Sequence, residues 1–272
     1  MPARFLHVSD LHTGTAEDER IEPALAALVD RVQPELIVAS GDLTHRGQRE
    51  QHERAAGLLR RLGKPLFAVP GNHDIPYTFP ARFTRTWVEF ERQWQTTEPV
   101  YRSSELFLVG LNSVRAWRQQ SGRIGQAQLM RAASLFSEAP AGALRVVVLH
   151  HHLLGAPWRS RKKPVARRTQ VLGALVDAGA ELILAGHIHQ AAISERREFE
   201  LSRGSEHGVT VSIAPGLGQP RPNRRGEARG LHVYEVTARS VRVETFVWRE
   251  HEWGLTAVRV FPRGREPLAA LS

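Results

Sequence analysis

The chain has 272 residues, no cysteine and a formal net charge of +9, with 42% hydrophobic and 24% charged side chains. That composition suits a well-buried α/β core and excludes disulfides and thiolate metal sites, so any metal must be held by oxygen and nitrogen. No apolar run approaches the roughly 20 residues of a bilayer span, and the start of the chain lacks the apolar stretch of a signal peptide; the expectation is a cytoplasmic protein without a membrane span.

In chain order, Phe5 to Ser9 reads as a buried strand ending at Asp10. Ile21 to Arg31 has helical spacing through Ile21, Leu25, Leu28 and Val32. Leu36 to Ala39 is a second buried strand, Gln48 to Leu62 a helix closed by Gly63, and Pro65 to Val69 a third strand stopped by Pro70-Gly71. This alternation predicts a parallel sheet covered by helices. Arg82 to Trp94 reads as one helix, Val100 to Arg102 and Leu106 to Leu111 as strands, and Gly125 to Ser137 as a helix. Arg145 to Leu149 is a short apolar strand ending at His150, Arg167 to Ala178 a helix, and Glu181 to Ala185 a strand ending at Gly186. From there the pattern changes. Ala191 to Phe199, Val209 to Ala214, Leu231 to Thr237, Val241 to Trp248 and Thr256 to Phe261 read as successive antiparallel strands. The Pro- and Arg-rich stretch from Gly216 to Gly230 reads as a loop. With no repeat and no dividing linker, the expectation is a single domain over 1–272 whose last third, about 190–272, is mostly β.

Five polar clusters each follow an apolar run: Asp10-Leu11-His12, Gly41-Asp42, Gly71-Asn72-His73-Asp74, His150, and Gly186-His187-Ile188-His189. In an open α/β sheet the strand ends border the crevice where ligands bind. In an extended segment Asp10 and His12 point the same way around Leu11, as do His187 and His189 around Ile188. Gly41, Gly71 and Gly186 each precede a candidate ligand, where a missing Cβ permits a sharp turn and a close approach. The inventory of carboxylate, amide oxygen and imidazole can hold two divalent cations side by side. Mn, Fe or Zn fit such donors, with Mn and Fe favoured.

These blocks, in this order, resemble the calcineurin-like metallophosphoesterase superfamily, whose pattern is Asp-x-His, Gly-Asp, Gly-Asn-His-Asp/Glu, a lone His after a strand, and Gly-His-x-His. The resemblance spans residues 10–189 and implies a four-layer α/β/β/α sandwich of two mixed sheets with a dinuclear metal centre. It implies that Asp10, His12 and His189 hold one metal, Asn72, His150 and His187 the other, and that Asp42 bridges them. It also implies that His73 serves the leaving oxygen, and Asp74 is expected to orient the His73 imidazole. Within His150-His151-His152 the first aligns with the family ligand, and alternation leaves His152 as the alternative.

The second block reads Gly41-Asp42-Leu43-Thr44-His45-Arg46, with His45 where the phosphoprotein-phosphatase branch has a second acid. With the three-histidine run, it looks like the bacterial cyclic-nucleotide phosphodiesterase branch. The resulting expectation is a metal-dependent phosphodiesterase acting on small phosphorylated substrates, with a metal-bridging hydroxide attacking phosphorus in line. A phosphomonoesterase, a structure-specific nuclease, a lipid-phosphate hydrolase and a non-catalytic scaffold of the same fold are the alternatives. The basic charge admits nucleic acid without favouring it, because arginine is spread over the whole chain. Arg159, Ser160, Arg161, Lys162, Lys163, Arg167 and Arg168 read either as a basic rim for an anionic substrate or as a solvated loop, and Arg221, Arg224 and Arg225 are a second basic candidate. His7, His52, His207, His232 and His251 lack ligand spacing and read as structural or solvent-facing, and Trp117, Trp158 and Trp248 as packing or pocket-flanking residues. The oligomeric state is not legible.

Overall fold

Which face each strand residue takes decides the layering. A computed structural model describes residues 2–15, 18–118, 120–153, 163–188, 199–203, 208–218 and 229–263. The elements run β1 (Ala3–Val8), α1 (Ile21–Val32), β2 (Leu36–Ala39), α2 (Arg49–Arg61), β3 (Leu66–Ala68), α3 (Ala81–Thr84), α4 (Val88–Trp94), β4 (Val100–Arg102) and β5 (Leu106–Gly110). They continue with α5 (Gln126–Ser137), β6 (Leu144–Val148), α6 (Arg168–Asp177), β7 (Leu182–Ala185), β8 (Phe199–Arg203), β9 (Gly208–Ile213), β10 (Gly230–Val236), β11 (Ser240–Arg249) and β12 (Glu252–Pro262). Two six-stranded sheets result, ordered β12-β11-β10-β1-β2-β3 and β4-β5-β6-β7-β9-β8.

Successive strand residues face opposite sides of a sheet, so strands apolar at every position must be covered twice. Phe5, Leu36, Val38, Leu106, Leu108, Val146 and Leu184 meet in one core between the sheets. Leu6, Val8, Ile37 and Ala39 join Leu25, Leu28 and Leu59 of α1 and α2 on one outer face. Phe107, Val109, Val147 and Ile183 join Ala132, Phe136 and Leu175 of α5 and α6 on the other. Three cores between four layers make the expected α/β/β/α sandwich. β1-β2-β3 and β5-β6-β7-β9 are parallel runs, so the polar segments after β1, β2, β3, β6 and β7 emerge on the C-terminal side of their own sheet's parallel strands.

Two expectations are corrected. The span from Arg82 to Trp94 is not one helix but two short ones, α3 and α4, interrupted at Arg85–Trp87. The Arg82 side chain is drawn inward, and Thr86 Oγ1 donates to the Arg82 carbonyl at 2.8 Å; a threonine bonding its own preceding turn competes with helix continuation. The β-rich last third is not one antiparallel series. β9 lies parallel to β7 in the second sheet, whereas β10 crosses to the first and pairs antiparallel with β1. Alternation cannot distinguish these outcomes, because a strand looks the same whichever sheet receives it. The expected strand over Ala191 to Phe199 lies outside the described residues except for Phe199, the first residue of β8.

Candidate metal centre

The segments after β1 and β2 are laced by backbone bonds: Asp10 N–H to the Gly41 carbonyl (2.8 Å), His12 N–H to Asp42 (3.0 Å) and Thr13 N–H to Leu43 (3.0 Å). The lacing requires an unusual backbone. Asp10 (φ 54°), His12 (φ 49°), Asp42 (φ 51°) and His187 (φ 76°) all lie in the left-handed region. Non-glycine residues pay about 1–2 kcal/mol there, and such strain concentrates at functional sites. Asp10 and His12 are therefore not in the extended segment expected for them: left-handed turns, not alternation along a strand, set their directions. The glycines answer to neighbouring protein atoms. Gly41 (φ +93°) is so close to the next loop that a Cβ would come within 2.6 Å of the Gly71 nitrogen, and a Cβ on Gly186 would overlap Ser9 Oγ and approach Asp10 Oδ2 to 2.6 Å.

Asp10, His12, Asp42, His150 and His187 are fully buried and converge. Asp42 Oδ2 is 3.8 Å from His12 Nε2 and 3.3 Å from His150 Nε2, and Asp10 Oδ1 is 3.8 Å from His12 Nε2. The other oxygen of each carboxylate is tied down. Asp10 Oδ2 accepts from Ser9 Oγ (2.6 Å) and the His187 N–H (2.9 Å), and Asp42 Oδ1 accepts from the His73 N–H (2.8 Å). Two groups of potential ligand atoms follow, Asp10–His12–Asp42 and Asp42–His150–His187, with Asp42 common to both. Asn72 is buried between the two residues that touch Asp42, and its Oδ1 has no hydrogen-bond partner among the described residues. His150, rather than His152, joins the group; the His152 ring stacks toward His187 with centroids 5.9 Å apart. His189 lies outside the described residues.

Ring tautomers carry the chemical argument. His150 Nδ1 donates to the Ser40 carbonyl at 2.8 Å, and His187 Nε2 donates to the Gln120 carbonyl at 3.2 Å. With those N–H groups spent, His150 Nε2 and His187 Nδ1 face each other 3.1 Å apart as lone-pair donors beside the Asp42 carboxylate. Two lone pairs and an anion at that spacing call for a cation, and a carbonyl holding the far nitrogen is the usual means of aiming a ligand imidazole. The protein's own charges report the same demand. Burial disfavours charge on His150, yet Asp42 overcomes it and pushes the imidazole up to about 9; the proton so held on Nε2 is the cation that a bound metal would replace, giving Nε2 its lone pair. Burial likewise opposes ionisation of Asp42, but His150, His73 and His12 outweigh it and hold the carboxyl well below its ordinary range. The residues present thus fit an oxygen- and nitrogen-coordinated metal pair.

His73 stands beside this cluster, its ring edge-on to His12 with centroids 4.8 Å apart. Its Nδ1 donates to the His45 carbonyl at 2.8 Å. The expected orienting role of Asp74 is therefore corrected. The Asp74 carboxylate instead accepts from the N–H groups of Gly71 and Thr44 (both 2.8 Å) and from Thr44 Oγ1 (3.0 Å), tying the loop after β3 to the loop after β2. Burial raises the Asp74 pKa. His52, expected to be structural, is buried on α2 and donates to the Asp74 carbonyl at 3.1 Å.

Sequence reasoning missed His45 and Gln120. His45 forms a third group of nitrogens with His12 and His73 and stacks on His73 at 5.7 Å. Its position three residues after Asp42, where the phosphoprotein-phosphatase branch has a second acid, was the available signal; nothing in the sequence marks the Gln120 carbonyl. Of the basic candidates, Lys163, Arg167 and Arg168 are described, whereas Arg159, Ser160, Arg161, Lys162, Arg221, Arg224 and Arg225 lie outside the described residues, as do His207 and Trp158.

Residues 3–191 match the calcineurin-like phosphoesterases. The chain belongs to this family. Among calcineurin-like relatives, it is 26% identical over 218 residues to the 3′,5′-cyclic adenosine monophosphate phosphodiesterase of Haemophilus influenzae, covering 73% of this chain and 74% of that one. A dimetal phosphatase from Danio rerio superposes with a TM-score of 0.64 at 13% identity, covering 96% of this chain and 99% of the other. A purple acid phosphatase from yellow lupin (Lupinus luteus) gives 0.65 at 10% identity; the whole of this chain spans 57% of that one. At such identities the two structures establish the shared calcineurin-like fold alone.

Proposed function

We propose that this chain is a phosphodiesterase that hydrolyses small phosphodiesters, cyclic nucleotides among them, with a pair of metal ions. The observation that carries the reading is the buried meeting of the Asp42 carboxylate with the lone-pair nitrogens of His150 and His187, whose N–H groups are already held by carbonyls. The similarity to the Haemophilus influenzae enzyme supports the choice of diester. In this reading Asp10, His12 and His189 hold one ion, Asn72, His150 and His187 the other, and Asp42 serves both. Mn and Fe suit the thiolate-free donor set best, with Zn as the alternative. When bound, such ions draw charge from phosphate oxygens and lower the pKa of water toward ~7.

The rest falls to the chain. Because the Nδ1–H of His73 is engaged by the His45 carbonyl, Nε2 is the atom that faces the departing oxygen, and it delivers a proton there from the doubly protonated ring, leaving the neutral Nδ1–H tautomer. The four left-handed residues and the hydrogen-bonded loops hold the ligands in place before substrate arrives, so little reorganisation is needed on binding. Removal of metal tests the proposal. Protein stripped with a chelator loses hydrolysis of bis(p-nitrophenyl) phosphate and of cyclic AMP, and added Mn²⁺ restores both. Full activity of the stripped protein, or faster hydrolysis of p-nitrophenyl phosphate than of the diesters, would overturn it.

A further inference from the structure

Among the described residues, the aromatic side chains most exposed to solvent are Phe79 (85%), Trp117 (67%), Phe83 (53%) and Tyr77 (51%). They fall on two segments, one running from Tyr77 into α3 and the other being the loop that carries Trp117. The Arg82 side chain joins these segments. Arg82 is buried, donates from Nε to the Ala116 carbonyl (2.7 Å) and from Nη1 to the Pro76 carbonyl (3.2 Å), and sets its guanidinium 6.0 Å from the centre of the Tyr77 ring. Both segments also reach the candidate metal centre. The Tyr77 ring lies 5.8 Å from the His73 ring. Three residues beyond Trp117, the Gln120 carbonyl holds His187. Tyr77 therefore borders the site on the side where His73 stands, and Arg82 ties the backbone next to Trp117 to the stretch that carries Tyr77.

Exposed aromatic rings lose the benefit of burial unless something covers them, and a patch of them beside a site marks a ligand surface. Two features choose the occupant. Tyr77 is one ring away from the imidazole that serves the leaving oxygen, so what covers it must be attached to the scissile phosphate. The clamp by Arg82 pins the backbone on both sides of the patch, which suits stacking of a flat group better than burial of a flexible chain. We propose that Tyr77 and Trp117 form a subsite that stacks the aromatic group of the substrate, a nucleobase or aryl ring, and so give the enzyme its preference for aromatic over aliphatic diesters. This rests on the phosphodiesterase reading above and adds the substrate class to it.

Selectivity of variants tests the subsite. kcat/KM is measured for bis(p-nitrophenyl) phosphate and for glycerophosphoethanolamine in the Mn²⁺-loaded wild type, Tyr77→Ala, Trp117→Ala and Tyr77→Phe. The intrinsic difference in leaving groups cancels when the aryl-to-aliphatic ratio is compared between variants. Each alanine variant lowers that ratio about tenfold, mainly through KM, and Tyr77→Phe keeps it, as stacking requires. A second arm reads binding alone: titration calorimetry with AMP and with ribose 5-phosphate shows tighter binding of AMP, and the alanine variants remove the difference. Unchanged ratios together with unchanged AMP affinity in both alanine variants would overturn the subsite. So would wild-type binding to phosphatidylglycerol vesicles that Trp117→Ala abolishes without altering AMP affinity, because the patch would then belong to a lipid surface. Should the wild type hydrolyse neither diester, the phosphodiesterase reading falls while the binding arm still decides the subsite.

Discussion

Asp42 and His73 sit side by side and carry different burdens. Asp42 is fully buried, shared by both groups of potential ligands, and surrounded by imidazoles that hold it ionised. In the proposed reading, removing it takes the shared ligand from both ion sites at once. We therefore expect Asp42→Ala to lose bound metal and diester hydrolysis together, as measured by elemental analysis and turnover on the same preparation. His73 contributes a backbone N–H to Asp42 and a ring to the approach. The N–H survives substitution, so His73→Ala is expected to keep its metal and lose roughly 10²–10⁴ in kcat, the usual worth of a positioned acid. Loss of metal in His73→Ala would make the imidazole part of the ion site instead.

The loops at the strand ends behave as one fastened unit. Asp74 ties the turn after β3 to the turn after β2 through Gly71 and Thr44, and His52 of α2 braces the Asp74 carbonyl from outside. Asp74→Ala leaves the Gly71 and Thr44 N–H groups buried without their acceptor, which costs about 1–3 kcal/mol for each orphaned donor. The expected result is a lower urea midpoint and roughly 10–100-fold weaker metal binding. An orienting role toward His73 would instead shift the pH profile of kcat with the midpoint unchanged. α3 and α4 illustrate a local signal overruled. Helical spacing runs through residues 82–94, but Arg82 gains more from two backbone carbonyls than from exposure on a continuous helix, and Thr86 bonds back to its own preceding turn.

At the scale of the molecule, two sheets press a small polar set into an otherwise apolar layer. His7 bonds Ser40 Oγ at 2.9 Å, and across the first sheet His232 lies near Tyr234 and Ser212. Burial, reinforced by repulsion from a proton on the neighbouring His232, holds His7 well below its ordinary value. Burial, then the charge of Arg259, takes His232 down to about 3. Both are neutral when folded, whereas the unfolded chain protonates them near 6.5. The stability His232 contributes is present above that value and is lost as pH falls from ~6.5 toward ~3, with a slope of about 1.4 kcal/mol per pH unit, and His7 acts in the same direction. Urea unfolding at pH 7, 6 and 5 should show the wild type losing stability faster per pH unit than His232→Phe, whatever their relative stability at pH 7. Equal slopes would mean that His232 is protonated in the folded state.

The strands and the helices that cover them, together with the polar blocks that follow five of the strands, were legible in the sequence because they depend on neighbours close along the chain. Apolar runs must be buried, and Gly, Asn and Asp must turn the backbone where a run stops. What only tertiary structure decided lies in contacts between distant segments. The ring direction of His150 depends on the carbonyl of Ser40, that of His187 on Gln120 and that of His73 on His45. Backbone carbonyls carry no residue identity, so no pattern announces them. The assignment of β9 and β10 to different sheets is of the same kind, since alternation records that a face is buried and not what buries it. The identities of the ligand residues are local chemistry; the direction in which each one points was settled by whichever remote strand end came to lie beside it.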